Sequence, residues 1–84
     1  MDLLHAVGHA IRLAREQAGL TQEELSERAG LHAVSLSKIE RGRMEARLLT
    51  LDALAQALSL SVSQLLRNAE VVQSIQTDAK KASH

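Results

Sequence analysis

The sequence predicts an all-α chain of five short helices. Three observations carry that expectation. Apolar residues recur every three to four positions in each segment. Gly19, Gly30 and Gly42 fall where helix C-caps belong. The 84 residues include no Phe, Trp, Tyr or Pro, and without aromatic and with few β-branched residues there is little to build a sheet from.

The first helix is expected over about Asp2 to Ala18. Leu4, Val7, Ile11, Ala14 and Ala18 form one apolar stripe, flanked by Arg12, Arg15 and Glu16, and Gly19 ends it. Thr21, with Glu24 three residues on, is a capping box that opens the second helix, and acids in its first turn suit the helix dipole. Leu25 and Ala29 form its buried side, and Gly30 closes it. Leu31 and His32 lead into a third helix, Ala33 to about Arg41. At about 100° per residue, Val34, Ser37, Lys38 and Arg41 share one face and Leu36 and Ile39 the opposite one. A loop, Gly42 to Ala46, leads to the fourth helix, about Arg47 to Leu58, with Leu51, Leu54, Ala55 and Leu58 inward. Ser61 and Gln64 make a second capping box, and Val62, Leu65 and Leu66 begin the apolar side of the fifth helix. Leu65, Ala69, Val72, Ile75 and Ala79 keep helical spacing, with fraying expected from Thr77 to His84. The expected organisation is one domain over residues 1–67 and an extension over 68–84, helical and then frayed.

Ten Lys and Arg balance ten Asp and Glu. Zero net charge excludes a non-specific polycation, though not a local basic face. The absence of Cys removes disulfides, thiol catalysis and thiolate metal sites. The absence of aromatics removes the platforms on which unpaired bases stack. No apolar run is long enough to span a membrane, and no basic segment precedes the apolar residues after Met1, so no signal peptide is expected. A cytoplasmic chain is the expectation. His5 and His9 are spaced for a metal, but no third ligand accompanies them, so no metal or cofactor is expected. No serine has a supporting base, and Glu23, Glu24 and Glu27 read as one solvated face. Catalytic residues are expected to be absent, and with them enzyme activity.

The informative stretch runs from Gln22 to Arg41: a capped helix, a turn with Gly30, and a second short helix. Leu25, Gly30, Leu31, Leu36 and Ile39 occupy the positions a helix-turn-helix needs, and Ser26 is small where the helices approach. With it come Ile11-Arg12, Arg15, Gly-Leu-Thr-Gln over 19–22, Ile-Glu-Arg-Gly over 39–42, Leu51, Leu54-Ala55, Ala57-Leu58 and Leu65-Leu66. From about Val7 to Leu66 the chain resembles the phage repressor and Cro type of helix-turn-helix, the XRE-like family.

The resemblance implies a lambda-repressor-like five-helix domain that binds double-stranded operator DNA as a homodimer and regulates transcription. It implies base reading by Ala33, Val34, Ser37 and Lys38 on the third helix, with His32 entering the groove beside them. Gln22 matches the family position that bonds a phosphate, and His32, Arg41, Arg43 and Arg47 join it as expected backbone contacts. Lys38, Arg41, Arg43 and Arg47 against Glu40 and Glu45 leave this stretch at +2. Arg15 and Glu40 match a structural pair. Leu66, Val71, Val72 and Ile75 offer more apolar surface than so small a core needs, so they are the expected dimer surface. The chain departs from the family at Ser59, usually Gly, where a positive φ would cost about 1 kcal/mol. It departs again at Ala33 and Val34, whose apolar side chains suit thymine methyls rather than hydrogen-bond readout. The same apolar tip motivates an alternative, a protein-interaction module of the same fold, antitoxin-like or binding another partner.

Overall fold

The computed structural model describes the backbone of residues 1–82 and the side chains of residues 1–75. Its elements are α1 (Leu3–Gln17), α2 (Gln22–Ala29), α3 (Ala33–Glu40), α4 (Leu48–Ala57) and α5 (Val62–Ala82). There is no strand among the described residues.

Local side-chain bonds start three of the helices. The Asp2 carboxylate accepts the His5 N–H at 2.8 Å. The Thr21 hydroxyl accepts the Glu24 N–H at 3.1 Å and the Glu24 carboxylate accepts the Thr21 N–H at 2.9 Å, the reciprocal box the spacing predicts. That backbone donor holds the Glu24 carboxyl below the usual carboxylate range. Ser61 and Gln64 repeat the arrangement, with Gln64 N–H donating to Ser61 Oγ at 3.1 Å and Ser61 N–H to Gln64 Oε1 at 2.9 Å. His32 and Arg47, at the N-caps of α3 and α4, make no side-chain cap bond. Gly30 closes α2 at φ 75°, the left-handed conformation in which a residue without Cβ turns the chain toward α3.

Each helix contributes one fully buried large aliphatic side chain: Ile11, Leu25, Leu36, Leu54 and Leu65. Each stabilises the fold by about 1.5–3 kcal/mol. Ala6, Ala10, Ala55 and Ala69 fill the space between them. The inward line of α1 differs from the expected stripe. Leu4 and Ala18 are exposed, and Ala6 and Ala10 are buried in their place. The reason is proximity: α1 packs most extensively on α5, and alanines let two helix backbones approach. α5 runs through Arg67 without a break, and beyond it Ala69 is buried in the core and Val72 packs against it. Its backbone is helical to residue 82, across most of the stretch where fraying is expected; residues 83 and 84 lie outside the described residues.

Two backbone positions fix how the helices meet. Gly8 is buried at the crossing of α1 and α3, where a Cβ would collide with the Ile39 carbonyl oxygen and lie 2.7 Å from that of Glu40. Ser59 sits at φ 60° in the corner where the chain turns 95° from α4 into α5. Gly8→Ala should lower stability by ~2 kcal/mol, since backbone overpacking exceeds the gain of about 1 kcal/mol in helix propensity. An unchanged melting temperature would dismiss the close approach. Ser59→Gly should do the opposite. Relief of left-handed strain outweighs the added freedom of the unfolded chain, for a gain of ~0.5–1 kcal/mol. In a domain of this size that is a rise of about 2–8 °C in melting temperature, and a fall would reject the strain.

Candidate nucleic-acid interface

The interface is organised around one buried carboxylate. Glu40, the last residue of α3, is 7% exposed. The Arg15 guanidinium from α1 grips it with both carboxylate oxygens engaged, Nε to Oε2 at 2.8 Å and Nη2 to Oε1 at 3.0 Å. The third arm of Arg15 donates to the Leu20 carbonyl at 2.9 Å, tying down the turn before α2. The Gln22 amide donates to Glu40 Oε1 at 3.0 Å. The contact with Glu40 raises the Arg15 pKa above its ordinary value, so the guanidinium stays charged. One carboxylate thus joins α1, the start of α2 and the end of α3, and every buried polar side-chain atom among the described residues has a partner.

With Glu40 satisfied inside, its outer neighbours are free to face solvent. Leu36, Ile39 and Glu40 of α3 point inward, while Val34, 66% exposed, and Lys38 point out. Ser37 and Ala33 are half-buried, and Ala33 lines a groove with Arg15, Thr21, Gln22 and Glu23. His32 is exposed at the head of the helix. Arg41 is exposed and its Nε donates to the Ser37 carbonyl at 3.2 Å, which leaves its other guanidinium hydrogens outward. Arg43 and Arg47 are exposed on the loop that follows. Because Arg15 neutralises Glu40, the outward charges from Leu31 to Arg47 are Lys38, Arg41, Arg43 and Arg47 against Glu45, so the surface carries +3 rather than the +2 of the sequence count. Gln22 differs from its expected role in one respect: its amide is engaged with Glu40, so only its second amide hydrogen and its backbone N–H are left to donate to a phosphate.

The four expected dimer residues do not share a surface. Leu66 lines an apolar pocket with Leu3, Leu4, Val7 and Leu51. Val71 and Ile75 lie on another side of α5, in a groove with Leu13 of α1, and Val72 is half-buried between that groove and the core. The sequence reading missed Leu48 and Leu49. They open α4 beside Arg47 and are 68% and 81% exposed. Leu49 falls off the inward stripe of Leu51, Leu54, Ala55 and Leu58, which was the available signal. Among the described residues no group of three or more His, Cys, Asp or Glu is placed to hold a metal. No single helix among them is long and apolar enough to cross a membrane.

Comparison with known proteins agrees with this geometry. Residues 11–65 match the family model described as helix-turn-helix. An HTH-type transcriptional regulator of Sinorhizobium fredii, y4dJ, is 42% identical over 66 residues, covering 79% of this chain and 86% of that protein. The control protein C.SmaI of Serratia marcescens is 38% identical over 66 residues, 79% of each chain. Among solved structures, the clp gene regulator ClgR of Corynebacterium glutamicum superposes with a TM-score of 0.94 at 31% identity, covering 99% of this chain and 88% of that one.

The carboxylate network makes a direct prediction. Glu40→Ala leaves the Arg15 guanidinium and the Gln22 amide unpaired in a site with little access to water, and should cost ~3 kcal/mol. Replacing both partners, Arg15→Met with Glu40→Leu, should recover part of that loss, because no uncompensated charge remains. Denaturant titrations of Arg15→Met, Glu40→Leu and the double variant measure the coupling, and strictly additive losses would remove it.

Proposed function

Because this chain belongs to the helix-turn-helix family of DNA-binding transcriptional regulators, we propose that it binds double-stranded operator DNA sequence-specifically as a homodimer. The observation that carries the reading is the outward face of α3. A hydrophobic tip, Val34, stands beside Lys38, and cations ring them at Arg41, Arg43 and Arg47. A face of that kind suits a major groove, where base edges offer thymine methyls and guanine acceptors and phosphates line both rims.

The proposed division of labour follows from side-chain chemistry. Val34 packs on a thymine C5-methyl, with the half-buried Ala33 beside it at the groove floor. Lys38 donates to guanine O6 and N7, and Ser37 supplies a hydroxyl to the adjacent edge. Arg41, Arg43, Arg47, His32 and the start of α2 at Gln22 meet the phosphate backbone, which sets register and affinity. Residues 1–67 supply this surface, and the extension that starts at residue 68 continues α5 as far as Ala82. The target being DNA, the proposed location is the cytoplasm.

Pairing is supported by Leu48 and Leu49, which stand in water beside the cationic loop. Leu66 lies apart from them, in its pocket with Leu3, Leu4 and Leu51. A second copy covering this ridge would set two recognition helices about 34 Å apart, facing successive major grooves of an inverted repeat. Leu49→Glu should therefore leave the fold intact and convert a dimer to a monomer in sedimentation. A dimer that survives it would move the interface elsewhere.

The reading test is affinity against a complete set of single-base variants of a DNA site selected from random sequence. Val34→Ala should lose about 1 kcal/mol at one thymine position, and Lys38→Ala should relax preference at one guanine by about 1–3 kcal/mol. Arg43→Ala should weaken all sequences alike and lower the salt slope by about one unit. Uniform losses for Val34→Ala and Lys38→Ala would show that α3 does not read bases. Binding that is indifferent to salt would favour the protein-interaction module instead.

A further inference from the structure

The groove between α1 and α5 belongs to neither the proposed DNA face nor the Leu48–Leu49 ridge. α1 and α5 run side by side in the same direction, with Leu4 near Leu66 and, further on, Leu13 and Gln17 near Asn68, Val71 and Ile75. The far part forms an open trough of about 420 Å³. Leu13, Val71 and Ile75 are 40%, 52% and 60% exposed along it, and among the described residues none of the eight that line it is charged.

Its direction follows from the helix geometry. α1 touches α3 through Gly8, against the carbonyls of Ile39 and Glu40, and through Arg15. At about 100° per residue, Leu13 and Gln17 lie about 140° and 180° around α1 from Gly8. Val34 and Lys38 point away from α1 on the other side of α3. The trough therefore faces away from the surface proposed to meet DNA. Two copies joined through it carry their recognition helices on opposite outer sides of the pair, where both cannot sit on one DNA segment.

We propose that this trough is a second, weaker contact between copies of this chain, one that joins two DNA-bound dimers back to back and so brings two DNA segments together. The proposal rests on the DNA-binding reading above. Three features favour a second copy as the occupant. The uncharged lining brings no like charges together when the surface meets itself across a two-fold axis. The carboxamides of Gln17 and Asn68 carry both donors and acceptors, so they are self-complementary. The α1 rim adds no net charge, because Glu16, which flanks Leu13 at about 100° per residue, is ion-paired with Arg12 at 2.8 Å. Among the described residues eight line the trough, few beside the roughly 20–30 a side of a stable stand-alone interface. That size fits a contact made between units already held by DNA rather than one that assembles free subunits.

The test is a bridging assay with the full chain and a DNA fragment selected from random sequence. One fragment is immobilised, the protein is bound, and capture of a second, labelled fragment is measured, with sedimentation over a wide concentration range alongside. The wild type should capture the second fragment and show a species above the dimer at high concentration. Val71→Glu with Ile75→Glu should cut capture at least tenfold while binding the single fragment as before. Leu13→Glu on the opposite wall should reproduce the loss, and unchanged melting curves would certify the fold of both. Capture that survives these variants overturns the proposal. So does a wild type that binds one fragment and captures no second, which would leave the trough to a different protein. Loss of single-fragment binding and of the dimer in Val71→Glu with Ile75→Glu also overturns it, because the trough would then be the operator-pairing surface. A wild type that binds no fragment refutes the DNA-binding reading and this proposal with it.

Discussion

Glu40 holds the reading head in place. An ionised carboxylate with so little access to water is stable only when its oxygens are fully bonded, and here Arg15 and Gln22 supply three donors to them. Those donors come from α1 and from the first residue of α2, so satisfying one charge sets three helices at once. The remaining arm of Arg15 reaches the Leu20 carbonyl and holds the turn that aims α2. Gly8 completes the clamp from the other side, because α1 lies against the end of α3 with no room for a side chain. The outward pose of Val34 and Lys38 is a consequence of that anchoring. An apolar core of Leu36 and Ile39 alone would leave α3 freer to slide along its axis.

The same network has an electrostatic result. A chain of zero net charge cannot attract a polyanion as a whole, so any attraction is local. Burying Glu40 against Arg15 takes an acid out of the interface and leaves four cations opposed only by Glu45 on the segment from α3 to the start of α4. The cation that neutralises Glu40 is drawn from the last turn of α1, so it does not reduce the outward positive charge. Structural and binding electrostatics are separated by using different arginines for each.

Apolar residues show a comparable separation. The core uses one large aliphatic side chain per helix and fills the gaps with alanine, which keeps the body thin and leaves several leucines, valines and isoleucines outside it. For 84 residues this is a small interior, and a chain of this size gains from surfaces that partners cover. Among the described residues, five of these exposed side chains fall in two groups, Leu48 and Leu49 at the head of α4 beside the cationic loop and Leu13, Val71 and Ile75 along the trough between α1 and α5, while Val34 stands on the outward face of α3.

What the sequence by itself determined is what depends on neighbours a few residues apart. The Thr21–Glu24 and Ser61–Gln64 boxes, the glycine that ends α2 and the opposite faces of α3 were all legible, because caps, turns and helix faces are set by bonds and angles within one or two turns, whereas the positive φ of Ser59 was legible only through family resemblance. The Arg15–Glu40 pair, 25 residues apart, was legible only through family resemblance. What tertiary structure decided depends on how helices cross. Gly8 reads as an ordinary helical glycine until α3 is laid against it. The inward line of α1 shifts from Leu4 and Ala18 to Ala6 and Ala10 because α5 comes close. Gln22 turns its amide to Glu40 because α2 starts beside the end of α3. Leu66 and Val71 share one helix and one apolar character, yet they face different neighbours. Helical periodicity says which residues are apolar and on which side of their own helix. Only the packing of α1 against α5, and of α4 across its 95° corner, determines which of those sides is covered and which remains open to water.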